Sequence, residues 1–151
     1  GARRPRSSFA DPAMIGLDTN LLARYYVQDE SDAEATRQHD AARRLIDSDE
    51  PLMVAKTVLL ELEWVMRGYY GFSIEQIAAA MRHLMSLPQV VIEQREAVEQ
   101  AITHSLSGLD FADALHLASY PDCETVASFD DRKFARRAGR LKLTPPVVVP
   151  T

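Results

Sequence analysis

Short apolar runs recur along this chain, each separated from the next by a segment of helical periodicity. The runs are Ile15–Leu17, Leu52–Ala55, Val90–Ile92, Thr125–Ala127 and Val147–Val149. They are mostly β-branched and too short for helices, so they read as buried strands rather than half-exposed alternating ones. Between them, Ser73 and Gln76 form a capping box, and Ile74, Ile77, Ala78, Met81 and Met85 keep a helical stripe until Pro88 stops it. Val98, Ala101, Ile102 and Ser105 give a similar stripe before Gly108, and Ala33–Ser48 reads as a long charged helix. Strands that alternate with helices predict an α/β, three-layer α/β/α domain with a mainly parallel central sheet of about five short strands.

The length of 151 residues suits one domain, and 46% hydrophobic with 26% charged residues describes a globular chain with a sizeable core. No apolar run approaches the ~20 residues of a membrane helix. Residues 1–13, "GARRPRSSFADPA", read as an expression scar or flexible leader, with Met14 as the native start and 14–151 as the folded domain. Without the leader's three Arg and one Asp, the formal charge moves from −5 to −7. Such an acidic domain does not coat nucleic acid indiscriminately, although a local basic patch can still grip a phosphate chain. The single cysteine, Cys123, cannot form an internal disulfide and reads as a small structural side chain. A reducing cytoplasm fits that composition.

In parallel sheets ligands bind beyond the carboxyl ends of the strands, which makes the placement of the acids informative. Asp18 follows the first strand at once, Asp130 sits just past the fourth, and Glu61 lies about one turn into the helix after the second. Asp110 and Asp113 open the helix of "GLDFADALHLASY". Carboxylates gathered at one edge repel one another, and a hard divalent cation with oxygen ligands is the simplest compensation. Asp18 is equally well read as a helix cap, although the convergence of acids moves that duty to Thr19 or Asn20. Glu63 has Arg67 four residues on, as in an ordinary exposed pair, whereas Glu61 borders an apolar stripe with no cation at helical spacing. Asp110 is expected to cap its helix while Asp113 faces the site. Asp130 is expected to point into the crevice, with Asp131 capping the helix that starts near Arg132. His116 reads as a surface residue, and the Met and aromatic residues of "EWVMRGYYGF" as core. The stretch "RKFARRAGRLK" reads first as a solvated basic helix face, but Arg132, Lys133, Arg136 and Arg137 are also candidates to position a nucleic-acid backbone.

Taken together, "IGLDTNLL", "LLELEWVM", "DFADALHLA" and "ASFDDRKFAR" resemble the PIN-domain family, and most of all the VapC-type toxins of bacterial toxin–antitoxin modules. The resemblance spans nearly the whole chain from Met14. It implies a Mg²⁺- or Mn²⁺-dependent endoribonuclease, with one or two ions held by an acidic quartet that maps onto Asp18, Glu61, Asp113 and Asp130. Thr19 and Asn20 match the polar pair after the first acid, and Ser128 the small hydroxyl residue before the fourth motif. The family more often has an aliphatic residue where this chain has His116, and the Asp130/Asp131 doublet falls in the family's most variable motif. The resemblance also implies an RNA substrate, inhibition by a cognate VapB-like antitoxin and a homodimer, in some cases within a larger toxin–antitoxin assembly.

Two other classes compete. Haloacid-dehalogenase-like phosphatases also place an Asp after the first strand, but need a second Asp where Asn20 stands. A non-catalytic module could instead use the acids to attract a basic partner peptide, with the helices at Ala33–Ser48 and Thr57–Tyr70 forming a helix-accepting groove.

Overall fold

The computed structural model describes residues 13–151, so the proposed leader, apart from Ala13, lies outside the described residues. In chain order the elements are β1 (Ile15–Gly16), α1 (Thr19–Tyr26), α2 (Ala33–Ile46), β2 (Leu52–Val54), α3 (Lys56–Trp64), a π-helical turn (Val65–Tyr69), α4 (Ile74–Ser86), β3 (Val90–Ile92), α5 (Arg95–Leu106), α6 (Phe111–Ala118) and β4 (Val126–Ala127). A second π-helical turn (Asp131–Ala135) then runs into α7 (Arg136–Arg140), and β5 (Val147–Val148) follows. Strands therefore form at all five expected places, and every strand pair is parallel.

The sheet is divided. β1, β2 and β3 hydrogen-bond in that order, with Ile15 opposite Leu52 and Leu52 opposite Val90, while β4 and β5 form a separate pair. β1 and β4 are two residues long, so neither offers many ladder bonds with which to join the two sheets. The expectation of uniformly buried strands holds only for β2. Val91 at the centre of β3 is 47% exposed, and Ile15 on β1 is 38% exposed. An apolar run therefore did not guarantee cover on both faces.

The helices follow their sequence signals closely. Ser73 accepts from the Gln76 backbone N–H, and the Gln76 side chain accepts from Ser73 N–H, so the capping box is complete. The stripe of α4 buries Ile77, Ala78, Met81, Leu84 and Met85, and that of α5 buries Ala97, Val98, Ala101, Ile102 and Ser105. Leu22, Ile46, Leu52, Leu62 and Leu84 lie fully within the core that joins helices to sheet. Burial of each such side chain is worth about 1.5–3 kcal/mol.

The end of α5 sets the position of the next helix. Gly108 adopts φ +104°, its N–H bonds to the Ser105 carbonyl, and Leu109 N–H reaches back to the His104 carbonyl. This is a Schellman ending, and its apolar residue Leu109 is buried. The reversal delivers Asp110 directly to the start of α6, which packs on α5 and α3. A Gly108→Ala substitution is expected to cost about 1–2 kcal/mol through positive-φ strain. Urea denaturation checks this, and an unchanged midpoint would contradict it.

Candidate active site

Three of the candidate acids are N-terminal caps. Asp18 caps α1, its Oδ1 accepting from Thr19 N–H at 2.8 Å, so the cap role stays with Asp18 and does not pass to Thr19 or Asn20. The reason is local. The helix begins immediately at Thr19, and Asp18 retains extended backbone angles (φ −91°, ψ 164°). Asp110 caps α6 as expected, accepting from Asp113 N–H at 3.2 Å. Asp130 caps the second π-helical turn, accepting from Lys133 N–H at 2.9 Å. Asp131 does not cap it, as had been expected, because the turn starts one residue earlier, at Asp131 itself. The carboxylate of Asp131 pairs with Arg136 instead, at 2.7 Å. Ser128 supports this corner: its Oγ accepts from Asp130 N–H at 3.1 Å.

Glu61 is exposed and opens onto a cleft of about 440 Å³ that Asp18, Thr19 and Asn20 also line. It has no hydrogen bond or ion pair with another described residue. Its neighbour corrects a sequence expectation. Glu63 is not an exposed pair member but is buried to 3% exposure, its Oε1 accepting from Arg67 Nε at 2.7 Å. The face of α3 that carries Leu59 and Leu62 turns inward and takes Glu63 with it, while Arg67 keeps its outer end in water. The Glu63 hydrogen bond and charge, with a smaller contribution from Asp110, raise the pKa of Arg67.

Asp113 is half-buried on the first turn of α6, beside the fully buried Ala114 and Leu117. Burial pushes its carboxyl pKa up, and the negative charges of Asp110 and Asp130 push it further; His116 and Arg137 partly offset them. These acids are thus close enough to feel one another. Among the described residues, however, no three His, Cys, Asp or Glu side chains are drawn into a set that could hold an ion. Asp18 and Glu61 share one cleft, and Asp110, Asp113 and Asp130 share one electrostatic neighbourhood.

Thr19 is a buried polar residue of the same cleft wall. It is only 5% exposed, and its Oγ1 is buried without a hydrogen-bond partner. Buried polar atoms are rarely left so, and this one is closed off from the solvent of the cleft. Of the basic candidates, Arg136 is taken up by Asp131 and Arg137 donates to the Gly108 carbonyl at 3.3 Å; Arg132 and Lys133 extend into solvent. His116 is exposed, as expected. Cys123 is exposed rather than packed, because it lies in the irregular segment between α6 and β4.

The aromatic residues after Glu61 depart furthest from expectation. Met66 is buried, but Trp64 is 62% and Tyr69 78% exposed, and both line the acidic cleft together with Tyr70. Helical periodicity in the sequence does not reveal a π-helical turn, and that turn reorients the side chains beyond Trp64.

The sequence model of the PIN domain family matches residues 15–140. The chain belongs to the PIN domain family. No curated protein matches it. PIN domains are generally nucleases that use divalent metal ions, and the α/β architecture with its parallel strands is the nuclease-type fold of this family. No helix among the described residues of this PIN domain is long and apolar enough to cross a membrane.

The raised carboxyl of Asp113 has a definite pH signature. Its folded pKa exceeds its unfolded one, so the folded state binds more protons as pH falls into the carboxylate range. Its contribution is therefore least unfavourable at low pH and becomes destabilising as pH rises through the raised folded value. In metal-free buffer, Asp113→Asn is expected to raise the thermal midpoint at neutral pH, with the gain disappearing on acidification. A midpoint at or below that of the unaltered protein at neutral pH would contradict this.

Proposed function

We infer that this PIN domain is the toxin component of a type II toxin–antitoxin module: an endoribonuclease that hydrolyses RNA phosphodiester bonds with a divalent metal ion at its acidic edge. The observation that carries this reading is the shared cleft of Asp18 and Glu61, which Thr19 and Asn20 also line. The strained ionisation of Asp113 beside Asp110 and Asp130 supports it.

The chemistry of these donors suits Mg²⁺, with Mn²⁺ as substitute: they are carboxylate oxygens with an excess of negative charge, which a cation would relieve by drawing them together. Asp18, Glu61, Asp113 and Asp130 are the proposed ligands for one or two ions. An ion held by these residues would supply positive charge toward the scissile phosphate and would make a water more acidic for attack on phosphorus.

The chain's own residues supply the rest. The Asp18 and Asp130 carboxylates each spend one oxygen on a helix-start N–H, which fixes their direction and leaves the other oxygen for the site. Asp110 holds the first turn of α6 and thereby sets the Asp113 carboxyl. Thr19 and Asn20 add neutral polar residues to the same cleft wall. Arg132 and Lys133 can meet the RNA backbone, while Arg136 is occupied by Asp131. No histidine, cysteine or serine nucleophile is required.

A specific observation also favours a polypeptide partner of the antitoxin kind. The groove expected between α2 and α3 is instead formed by α1 and α2, because α1 packs against both of the other helices. This groove, of about 350 Å³, is lined by Leu21, Ala41, Ala42 and Leu45, and shares Asn20 and Arg24 with the acidic cleft. An amphipathic antitoxin helix laid there would end against the acids. A cytoplasmic setting and a homodimer belong to the same proposal.

Removing ligand-supporting groups around metals costs 10–100-fold, so loss of a direct donor is expected to cost about 100-fold or more. Asp18→Asn and Glu61→Gln should therefore abolish Mn²⁺-dependent cleavage of a total RNA pool without altering the circular dichroism spectrum. EDTA should do the same to the unaltered protein. Full activity in either variant, or in EDTA, overturns the proposal.

The Asp130/Asp131 doublet gives a separate prediction. Asp130→Asn should lower cleavage about 10-fold or more. Asp131→Asn breaks an exposed ion pair with Arg136 and should leave the rate within a few-fold. Initial-rate measurements on one labelled RNA decide between them.

A further inference from the structure

Large aromatic side chains are normally covered, and two that stand open beside a polar cleft mark a contact surface. Trp64 and Tyr69 are such a pair, and their positions follow from the backbone. Glu61 and Trp64 are three residues apart on α3 and share a face. Tyr69 is five residues beyond Trp64, which α-helical winding would place well round the cylinder. The π-helical turn Val65–Tyr69, closed by Tyr70 N–H on the Val65 carbonyl at 3.2 Å, winds more slowly and brings Tyr69 back to the cleft wall. Gly68 has no side chain to cover the indole: a Cβ there would lie 4.0 Å from Trp64 Cε2. Tyr70 braces Tyr69 edge-on, with ring centroids 4.8 Å apart.

From this geometry we propose that Trp64 and Tyr69 form a subsite that stacks an unpaired nucleobase adjacent to the phosphate addressed by Asp18 and Glu61. The inference rests on the nuclease reading above and deepens it. Several features favour a base over a peptide side chain as occupant. The aromatic wall and the two carboxylates line one continuous cleft, so a polymer cut at the acids must pass the rings. Stacking on a π face is neutral in charge, so it can hold substrate beside carboxylates that repel a phosphate until a cation is present. Arg24, also in the cleft and oriented by its Nε bond to Gln38 Oε1 at 2.9 Å, supplies positive charge for the backbone next to that base. Trp64 and Tyr69 are positioning residues on this view, acting on where the RNA lies rather than on the reacting atoms.

Trp64 is the chain's single tryptophan, so its fluorescence reports on this subsite alone. The test titrates the Asp18→Asn protein with short unstructured single-stranded RNA in Mg²⁺, reading labelled-RNA anisotropy and tryptophan emission together, and repeats it with the same sequence as a duplex. The single strand is expected to quench Trp64 saturably, with the midpoint of the anisotropy curve, and the duplex to quench little. Tyr69→Ala should weaken single-strand binding about 10-fold, and Tyr69→Phe should restore it. In otherwise unaltered protein Tyr69→Ala should raise KM for RNA and leave kcat nearly unchanged. Binding and cleavage with unquenched Trp64, or equal quenching by duplex, overturns the subsite and leaves the nuclease reading standing. Emission indifferent to RNA but quenched by a co-purified antitoxin polypeptide also overturns it, assigning the face to protein docking. Absence of both RNA binding and metal-dependent cleavage overturns the nuclease reading, and the subsite with it.

Discussion

A carboxylate fixed at the start of a helix is the interaction on which this site depends. Asp18, Asp110 and Asp130 each accept a backbone N–H at a helix or π-helical start. The positive end of a helix dipole and the free N–H groups make such a position favourable for negative charge. That local stabilisation lets the fold hold Asp110 and Asp130 near Asp113 without an internal cation for each. Capping leaves one carboxylate oxygen of each residue unbonded, and that of Asp18 belongs to a side chain that also lines the cleft. Asp113 shows what happens without that help. It sits inside the first turn rather than at its start, and burial with two acidic neighbours raises its pKa.

The second constraint lies in α3. Placing Glu63 inward and Glu61 outward gives two acids, separated by one residue, opposite environments. Glu63 is buried only because Arg67 lies one turn on and reaches it from the surface, since a lone buried carboxylate would carry a heavy desolvation cost. Glu61, without such a partner, is left facing the cleft. Trp64, one turn on from Glu61, shares its outward face, and the π-helical turn that follows changes the winding so that Tyr69 joins them at the cleft. One helix thus contributes a structural ion pair, a candidate ligand and an aromatic wall.

Much of the fold was legible in the chain. The five strands lie where short β-branched runs predict them, and the capping box of α4 and the glycine ending of α5 follow directly from local chemistry. Burial was less legible. Val91 and Ile15 sit in apolar runs yet remain substantially exposed, because the two sheets stay separate and the outer strands contribute only a few ladder bonds. The acids were easy to nominate because their spacing after strands is a property of the sequence. Which of Asp130 and Asp131 caps was not, since it turns on a single-residue shift in where the π-helical turn begins. The exposure of Trp64 and Tyr69 was not legible for a related reason: large aromatic side chains read as core, and nothing in the sequence signals the π turn that carries Tyr69 to the cleft.

The sequence by itself determined the element order, the parallel α/β class and the identity of the acids at strand and helix boundaries, because these depend on interactions within a few residues. Tertiary structure alone decided which glutamate was buried, which aromatics stayed open, and that Thr19 Oγ1 was left without a partner. Those outcomes depend on how α1 and α3 pack together and on the winding after Trp64, which bring residues about forty positions apart to one cleft. The desolvation and neighbouring charge that raise the Asp113 carboxyl likewise exist only once α6 is packed with Asp110 and Asp130 nearby.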